Sequence, residues 1–293
     1  MASGLKAKIR LLGICGSPRK GNSLFLLQQA LDEAVKDYPD GVETETYIFG
    51  QTPFAPCDAC GAHKRLKGEC RLKDGFQELR DQWLEADAII YSIPVYHMGI
   101  PGQVKCFIDR LGNSLGYYFT EYLREEGGEE GEPVYRMPRL LKAIGSITQG
   151  SHLFAGQEHA QAFINTHAIL MRCVPVAGDL WESYIGAGGW TELSPKVSAL
   201  KALIEDGKLD AQIAVRAARA TGKRVAEMAM LIRDGLTANQ GVFAEQPTYR
   251  PVLEKISRKA ASGSRPTNQD HSLEEGPPSS DSTRQKIRPS EHG

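Results

Sequence analysis

The sequence lacks a long apolar run, a strong net charge and a dense set of cysteines. No apolar run is long enough to span a bilayer, and the first residues show no signal-peptide pattern. The formal net charge is -1, which gives no electrostatic reason to expect nucleic acid or an anionic membrane as a partner. Six cysteines in 293 residues are few and unevenly spread, so a reducing compartment is the simpler assumption. We therefore expect a cytoplasmic chain whose 41% hydrophobic residues form a large core.

Two nucleotide-binding signatures are also missing from a turn that otherwise favours phosphate. Residues 9–23 run an apolar strand into a turn rich in Gly and hydroxyl groups, and a helical pattern follows directly. Backbone N–H groups and the positive end of the helix converge in such a turn, so an anion binds there. The segment from Gly16 to Ser23 reads GxxxxG-Asn-Ser, with Asn22 in place of the lysine that reaches the terminal phosphates of a nucleoside triphosphate. The dinucleotide pattern GxGxxG is absent as well.

What remains in this turn is a set of side chains suited to one compact phosphate monoester. The set consists of the hydrogen-bonding residues Ser17, Asn22 and Ser23 and the fork-shaped cation Arg19. An ordinary strand-to-helix turn that happens to contain Gly is the alternative that these residues leave open.

Apolar runs alternate with helical periodicities along the chain, which predicts an α/β fold with a parallel sheet covered on both faces. The predicted strands are 8–15, 42–48, 88–92, 143–148 and 172–176. The predicted helices are 23–37, 75–85, 101–111, 157–171 and 210–234. This rhythm indicates a flavodoxin-like, doubly wound five-stranded sheet of order 2-1-3-4-5, with the ligand at the strand ends around the switch point.

Three regions depart from that rhythm. We expect one domain over 1–256 that contains an acidic insertion at about 121–136, a Trp- and Gly-rich excursion at about 178–208 and the C-terminal helix at 210–234. Residues 257–293 are rich in Ser, Pro, Gly and charge, so we expect a disordered tail there.

A second informative segment follows the strand that ends near Ser92. The loop behind it combines the rigid Pro94, the aromatic Tyr96, Gly99 and a Pro101 that is well placed to open a helix. Loops at strand ends carry binding groups on a fixed scaffold, and a planar heteroaromatic ligand would find backbone amides and an aromatic face here. An ordinary surface loop is an equally good interpretation of this spacing alone.

The motifs GSPRKGNS, SIPVYHMGIPGQVKCFIDR and TQGSHLFAGQE resemble those of the flavodoxin-like NAD(P)H-dependent FMN reductase superfamily. The similarity covers about residues 6–177 and favours the branch of iron-sulfur flavoproteins and multimeric flavodoxin-type oxidoreductases. It implies that the first loop binds the FMN phosphate through Ser17, Arg19, Asn22 and Ser23. It places Pro94, Val95, Tyr96, His97 and Met98 beside the isoalloxazine ring. It places Thr148, Gln149 and Gly150 on the other side, with Gly156, Gln157 and Glu158 at the end of the motif.

The resemblance also implies an activity. NAD(P)H as co-substrate would pass a hydride to flavin N5, and a quinone, free flavin or other small electron-poor organic molecule would then accept the electrons. No conventional catalytic acid is required, although His97 or His152 could donate a proton. The competing hypothesis is an electron carrier between protein partners.

The family resemblance further implies a homodimer or homotetramer. The aromatic run 117–119 would then be either a subunit contact or packed under the acidic insertion.

Cysteine spacing suggests a possible metal site. Iron-sulfur flavoproteins carry CxxCxxC followed by a fourth Cys, and the corresponding residues here are Cys57, Cys60, His63 and Cys70. A Cys3His set could hold an iron-sulfur cluster or zinc, and metal-free thiols are the third alternative. The remaining cysteines, Cys15, Cys106 and Cys173, follow apolar patterns and are expected in the core.

Overall fold

The computed structural model describes residues 7–50, 54–124 and 137–263. Its sheet is entirely parallel, with the order β2-β1-β3-β4-β5 and with β6 beside β4, which confirms the predicted order 2-1-3-4-5. The strands are β1 Ile9–Cys15, β2 Val42–Ile48, β3 Ala88–Pro94, β4 Ala143–Gly150, β5 Val174–Pro175 and β6 Ala187–Trp190.

The edge beside β4 is shared by two short strands. β5 pairs only with Ala143 and Ile144, whereas β6 pairs with β4 from Ile147 to Gly150. The predicted fifth strand, 172–176, is therefore shorter in the structure. The rest of this edge of β4 pairs with β6, which belongs to the excursion. The sequence of β6 is Ala-Gly-Gly-Trp, and glycine-rich segments carry little strand propensity, which explains why it was not predicted.

Helices cover both faces of the sheet. They are α1 Asn22–Asp37, α2 Ala62–Arg65, α3 Phe76–Glu85, α4 Gly102–Arg124, α5 Gln157–Leu170, α6 Ala199–Glu205, α7 Leu209–Ala238, α8 Gln240–Phe243 and α9 Arg250–Gly263. Alternate residues of each central strand feed two cores: Leu12 and Ile14 join the core under α3, α4 and α5, and Ile9 and Leu11 join the core under α1 and α7. No helix in the described part of the chain is both long and apolar enough to cross a bilayer.

The predicted start of the acidic insertion, at about residue 121, is wrong. α4 continues to Arg124, so residues 121–124 are helical and not part of a loop, while residues 125–136 lie outside the described part. On this helix Phe119 is buried in the core and the Tyr117 ring lies 4.7 Å from that of His63, so part of the aromatic run packs within the chain.

The predicted tail begins too early. α9 extends from Arg250 to Gly263 and buries Leu253, so the boundary near residue 257 falls inside a helix, and residues 264–293 lie outside the described part. The amphipathic spacing of Val252, Leu253 and Ile256 is the signal that could have identified it.

Candidate functional site

The first loop, residues 16–21, leaves the carboxyl end of β1 and passes close to its neighbours. A Cβ atom on Gly16 would lie 2.6 Å from Val104 Cγ2 and 2.7 Å from Ile93 Cγ2, so only glycine allows this approach. Ser17 is buried, and its Oγ accepts a hydrogen bond of 3.1 Å from the backbone N–H of Arg19. The Arg19 side chain is exposed and forms no ion pair within the described residues. A buried hydroxyl and an available guanidinium therefore stand at the same turn.

The start of α1 provides unsatisfied donors. Gly21 is the N-cap residue, and among the described residues no side chain caps the helix. The first N–H groups of a helix have no acceptor within it, so they remain available to an anion. Ser23 is only 2% exposed, and its Oγ has no hydrogen-bond partner in the described part of the chain. A buried hydroxyl without a partner is costly, and a phosphate oxygen would satisfy it.

Asn22 has a role that the sequence did not reveal. Its Nδ2 donates to Lys196 O at 3.0 Å, and its Oδ1 accepts from the Leu200 N–H at 3.0 Å. The side chain thus holds the excursion against the first loop. This differs from the prediction that the amide itself contacts phosphate, and it leaves the Asn22 backbone N–H as the group that could do so.

The second loop is a tight hairpin at the end of β3. Tyr96 and Gly99 exchange backbone hydrogen bonds of 2.9 and 3.1 Å, and the two residues between them, His97 and Met98, have φ values of 48° and 70°. Positive φ at both central residues is the geometry of a type I′ turn. The Val95 N–H donates to Gln149 O at 2.8 Å, which ties the hairpin to the end of β4.

The third loop packs directly against this hairpin. Gly156 has φ +109°, and a Cβ atom there would lie 2.4 Å from Met98 O, so the contact requires glycine. Gln157 holds the third loop together, because its Nε2 donates to His152 O at 2.8 Å and its backbone oxygen accepts from Thr148 Oγ1 at 3.3 Å. The structure therefore brings the predicted residues of the second and third loops together.

The excursion, residues 178–208, closes the edge of this region. The Leu193 N–H donates to Ser151 O at 2.7 Å, and β6 pairs with the last residues of β4, so the excursion reaches the third loop as well as the first. Large apolar side chains nearby remain exposed, most of all Trp181 at 92% and Phe154 at 89%. Phe154 is not among the predicted site residues, although its position between the predicted Gly150 and Gly156 is a signal that could identify it.

Comparison with known proteins agrees with this geometry. The family model described as NADPH-dependent FMN reductase matches residues 9–179. The chain belongs to the NADPH-dependent FMN reductase family. An iron-sulfur flavoprotein from Archaeoglobus fulgidus is 30% identical over 218 residues, which is 74% of this chain and 96% of that protein. An FMN-dependent NADH:quinone oxidoreductase from Sinorhizobium fredii is 30% identical over 127 residues, 41% of this chain and 54% of that protein.

A solved structure supports the fold. A flavone reductase aligns with a TM-score of 0.52 and 21% identity, covering 76% of this chain and 63% of that one. Family membership confirms the resemblance predicted from the three loop motifs and makes the chain an FMN-containing oxidoreductase. The first loop fits the phosphate of FMN, because the uncapped start of α1 and the unpartnered Ser23 Oγ are the groups that a phosphate monoester would complete.

The predicted metal ligands lie between β2 and α3. They are Cys57, Cys60, His63 and Cys70. Arg110 Nη2 donates to Cys70 Sγ at 3.2 Å, and Asn113 Nδ2 lies 3.8 Å from Cys57 Sγ. Within the described residues, no three or more His, Cys, Asp or Glu side chains lie close enough together to hold a metal ion. As placed, these residues do not fit an iron-sulfur cluster or zinc.

The buried Arg110 binds both Asp74 and one of the predicted metal ligands, Cys70. Its Nη1 and Nη2 bind the two carboxylate oxygens of Asp74 at 2.6 and 2.9 Å. Burial alone would raise the pKa of Asp74, but the hydrogen bonds from Arg110 and the Ala55 N–H outweigh burial and lower it. The same buried guanidinium contacts Cys70, so it would compete with a metal ion for that sulfur.

The other cysteines are core residues, as predicted. Cys15 and Cys173 are buried, and Cys106 packs against the core while partly exposed. Burial raises the pKa of Cys15 and of Cys173 to about 11, so both stay as unreactive thiols at neutral pH.

Proposed function

We propose that this protein is an FMN-dependent NAD(P)H oxidoreductase that reduces a quinone, free flavin or another small electron-poor organic acceptor. The observation that carries the proposal is the buried Ser23 Oγ without a partner at the uncapped start of α1, beside the exposed Arg19. An anion at this point satisfies several groups that the fold leaves unpaired. The relative named as an FMN-dependent NADH:quinone oxidoreductase supports the choice of acceptor class.

The proposed phosphate ligands are Ser17, Arg19, Ser23 and the first-turn N–H groups, including that of Asn22. The proposed contacts of the ring are Pro94, Val95, Tyr96, His97 and Met98 on one side and Thr148, Gln149 and Gly150 on the other. When bound, FMN supplies the two-electron redox chemistry, and the protein supplies binding and electrostatics.

Backbone hydrogen bonds limit the N–H groups of the second loop that are available to the polar edge of the flavin ring. The N–H groups of Val95, Tyr96 and Gly99 already donate to backbone oxygens. Those of His97 and Met98 donate to no acceptor within the described residues, so they are the donors that we assign to the electronegative edge of the ring. Donors aimed at developing negative charge stabilise it in a site shielded from water.

Exposed apolar side chains of two loops are the groups that we expect the acceptor to contact. Tyr96, Met98 and Phe154 are exposed although they are large and apolar, and all three belong to the second and third loops. Aromatic and apolar side chains of this kind are what planar organic molecules bind. We assign them to the nicotinamide and, after it leaves, to the acceptor.

The direct test is FMN binding followed by anaerobic reduction. Arg19→Gln removes a charge-assisted phosphate contact worth about 1.5–3 kcal/mol, so it should weaken FMN binding about 10- to 150-fold. The matched control is Lys20→Gln, because Lys20 is the adjacent exposed cation and has no assigned role. Addition of NADH or NADPH without oxygen should bleach the flavin absorption, and a quinone should restore it. Equal FMN affinity in the two variants, or a flavin that neither nucleotide bleaches, would contradict the proposal.

A second candidate is an electron carrier between protein partners. It is favoured by the name of the relative that this chain covers almost completely, the iron-sulfur flavoprotein at 96% coverage. This candidate needs a cluster at Cys57, Cys60, His63 and Cys70. Iron and sulfide analysis of anaerobically purified protein decides the matter, since the carrier requires stoichiometric iron. Flavin reduction by a ferredoxin-type donor and not by NADH or NADPH would also favour it.

A further inference from the structure

A second cavity lies at the opposite edge of the sheet from the three loops. It has a volume of about 360 Å³ and sits at the amino ends of β3 and β4, beneath the end of α7 and α9. We call it the amino-end cavity. Its apolar lining is aliphatic and comes from Leu140, Leu141, Ile232, Leu236, Val252 and Ile256. The volume falls in the range of about 300–1,000 Å³ of pockets that hold small organic ligands.

Three lysine amines converge on one wall of this cavity. Lys142, only 3% exposed, donates through Nζ to Leu84 O at 2.7 Å and Ala86 O at 2.5 Å. Lys255 Nζ donates to Ala86 O at 2.6 Å and, over a longer 3.4 Å, to Leu84 O, and it lies 2.9 Å from Asp87 Oδ1. Lys259 Nζ donates to the other carboxylate oxygen, Asp87 Oδ2, at 2.6 Å. Asp87 is thus shared by two lysines, with a third amine next to them.

Lys255 and Lys259 both pair with Asp87 where water has little access, so the two amines carry one more positive charge than this carboxylate balances. Burial, and then the charge of Lys255, lowers the pKa of Lys142 well below its ordinary value, which shows how strongly the site disfavours another cation. A buried cation that shares its counter-ion gains from a further anion. The aliphatic walls would at the same time take up an apolar chain.

We propose that the amino-end cavity binds an anionic aliphatic amphiphile, a straight-chain monocarboxylate whose head group lies at Lys255 and whose chain lies along the aliphatic lining. The site is separate from the proposed FMN site. Much of it is built by α7 and α9, beyond residue 179 where the family match ends.

The test is calorimetric titration of the full chain with hexanoate, octanoate and decanoate, with and without FMN. We expect one saturable site per chain and about a fourfold gain in affinity for each added methylene until the cavity is filled. 1-Octanol, which keeps the chain but not the charge, should bind about tenfold more weakly than octanoate.

Variants of Lys255 test the head-group position. Lys255→Met should abolish the preference for octanoate over 1-octanol, whereas Lys255→Arg should retain it. Lys36→Met, on the exposed face of α1, is the matched control and should change nothing. Absence of saturable binding, equal binding of the alcohol, an unchanged preference in Lys255→Met, or loss of binding when FMN is added would each overturn the proposal.

Discussion

Replacing Ser23 by Ala should change stability and FMN binding in opposite directions. The Ser23 hydroxyl is buried and has no partner within the described residues, so the protein without FMN bears the cost of an unsatisfied polar group. That cost is about 1–3 kcal/mol, and alanine removes it while keeping the helix. We therefore expect Ser23→Ala to raise the free energy of unfolding of the FMN-free protein by about 1 kcal/mol.

The same change should weaken FMN binding. A hydroxyl that donates to a charged phosphate contributes about 1.5–3 kcal/mol, which corresponds to about 10- to 150-fold in the dissociation constant. Urea unfolding of the FMN-free protein gives the first quantity, and titration of FMN by fluorescence quenching gives the second.

Ser114→Ala is the matched control for this experiment. Ser114 is also buried, in the middle of α4, but its Oγ donates to Gly68 O and accepts from Arg80 Nη1 at 3.5 Å. Its removal should destabilise the protein by about 1–2 kcal/mol and leave FMN affinity unchanged. If Ser23→Ala instead destabilises the FMN-free protein like the control, or binds FMN as tightly as the parent, the phosphate is not held at this hydroxyl.

Three further predictions follow from the same structure. Gly156→Ala should destabilise the protein by about 2 kcal/mol or more in urea unfolding, because positive φ is combined with a Cβ atom 2.4 Å from Met98 O, whereas Gly207→Ala, with φ +73° and nothing within 4 Å, should cost only about 1 kcal/mol. Burial lowers the pKa of His167 to about 4, below the value of about 6.5 in an unfolded chain, so the unfolded state binds more protons between these values and stability should fall by about 3 kcal/mol as pH drops from 6.5 to 4. His167→Leu should flatten this slope, and an unchanged slope would refute the assignment. Asn22→Ala removes two hydrogen bonds to the excursion and should speed amide hydrogen exchange in residues 191–200, while equal exchange rates would show that the excursion is held elsewhere.

The central fold could be predicted because the strongest signals are local. β1, β3 and β4 are rich in apolar residues and almost entirely buried, as a parallel sheet covered on both faces requires, and the helices between them have regular apolar spacing. Helix α9 was missed because charged residues obscure its apolar face. The extension of α4 was missed because Gly112, Asn113 and Gly116 have low helix propensity.

The details of the site depend on contacts between distant residues. His97 and Met98 adopt positive φ without the Asn-Gly or Asp-Gly sequence that usually indicates such a turn. The hairpin they form packs against Gly156, which is distant in sequence. Asn22 looked like a phosphate ligand because its partners lie more than 170 residues away, as the separations of 174 and 178 residues show. No local pattern contains that information.

These long-range contacts also place a segment beyond the family match beside the proposed cofactor loops. The family match ends at residue 179, yet the excursion that borders the first and third loops begins at about that point. Trp181, Tyr184 and Leu193 are exposed apolar residues of this later segment, and the segment is fixed to the loops through Asn22 and Ser151. The family match therefore covers the three loops, whereas the excursion that borders two of them lies outside it. For that reason the name of a relative that matches only 41% of this chain supports an acceptor class but cannot specify the molecule.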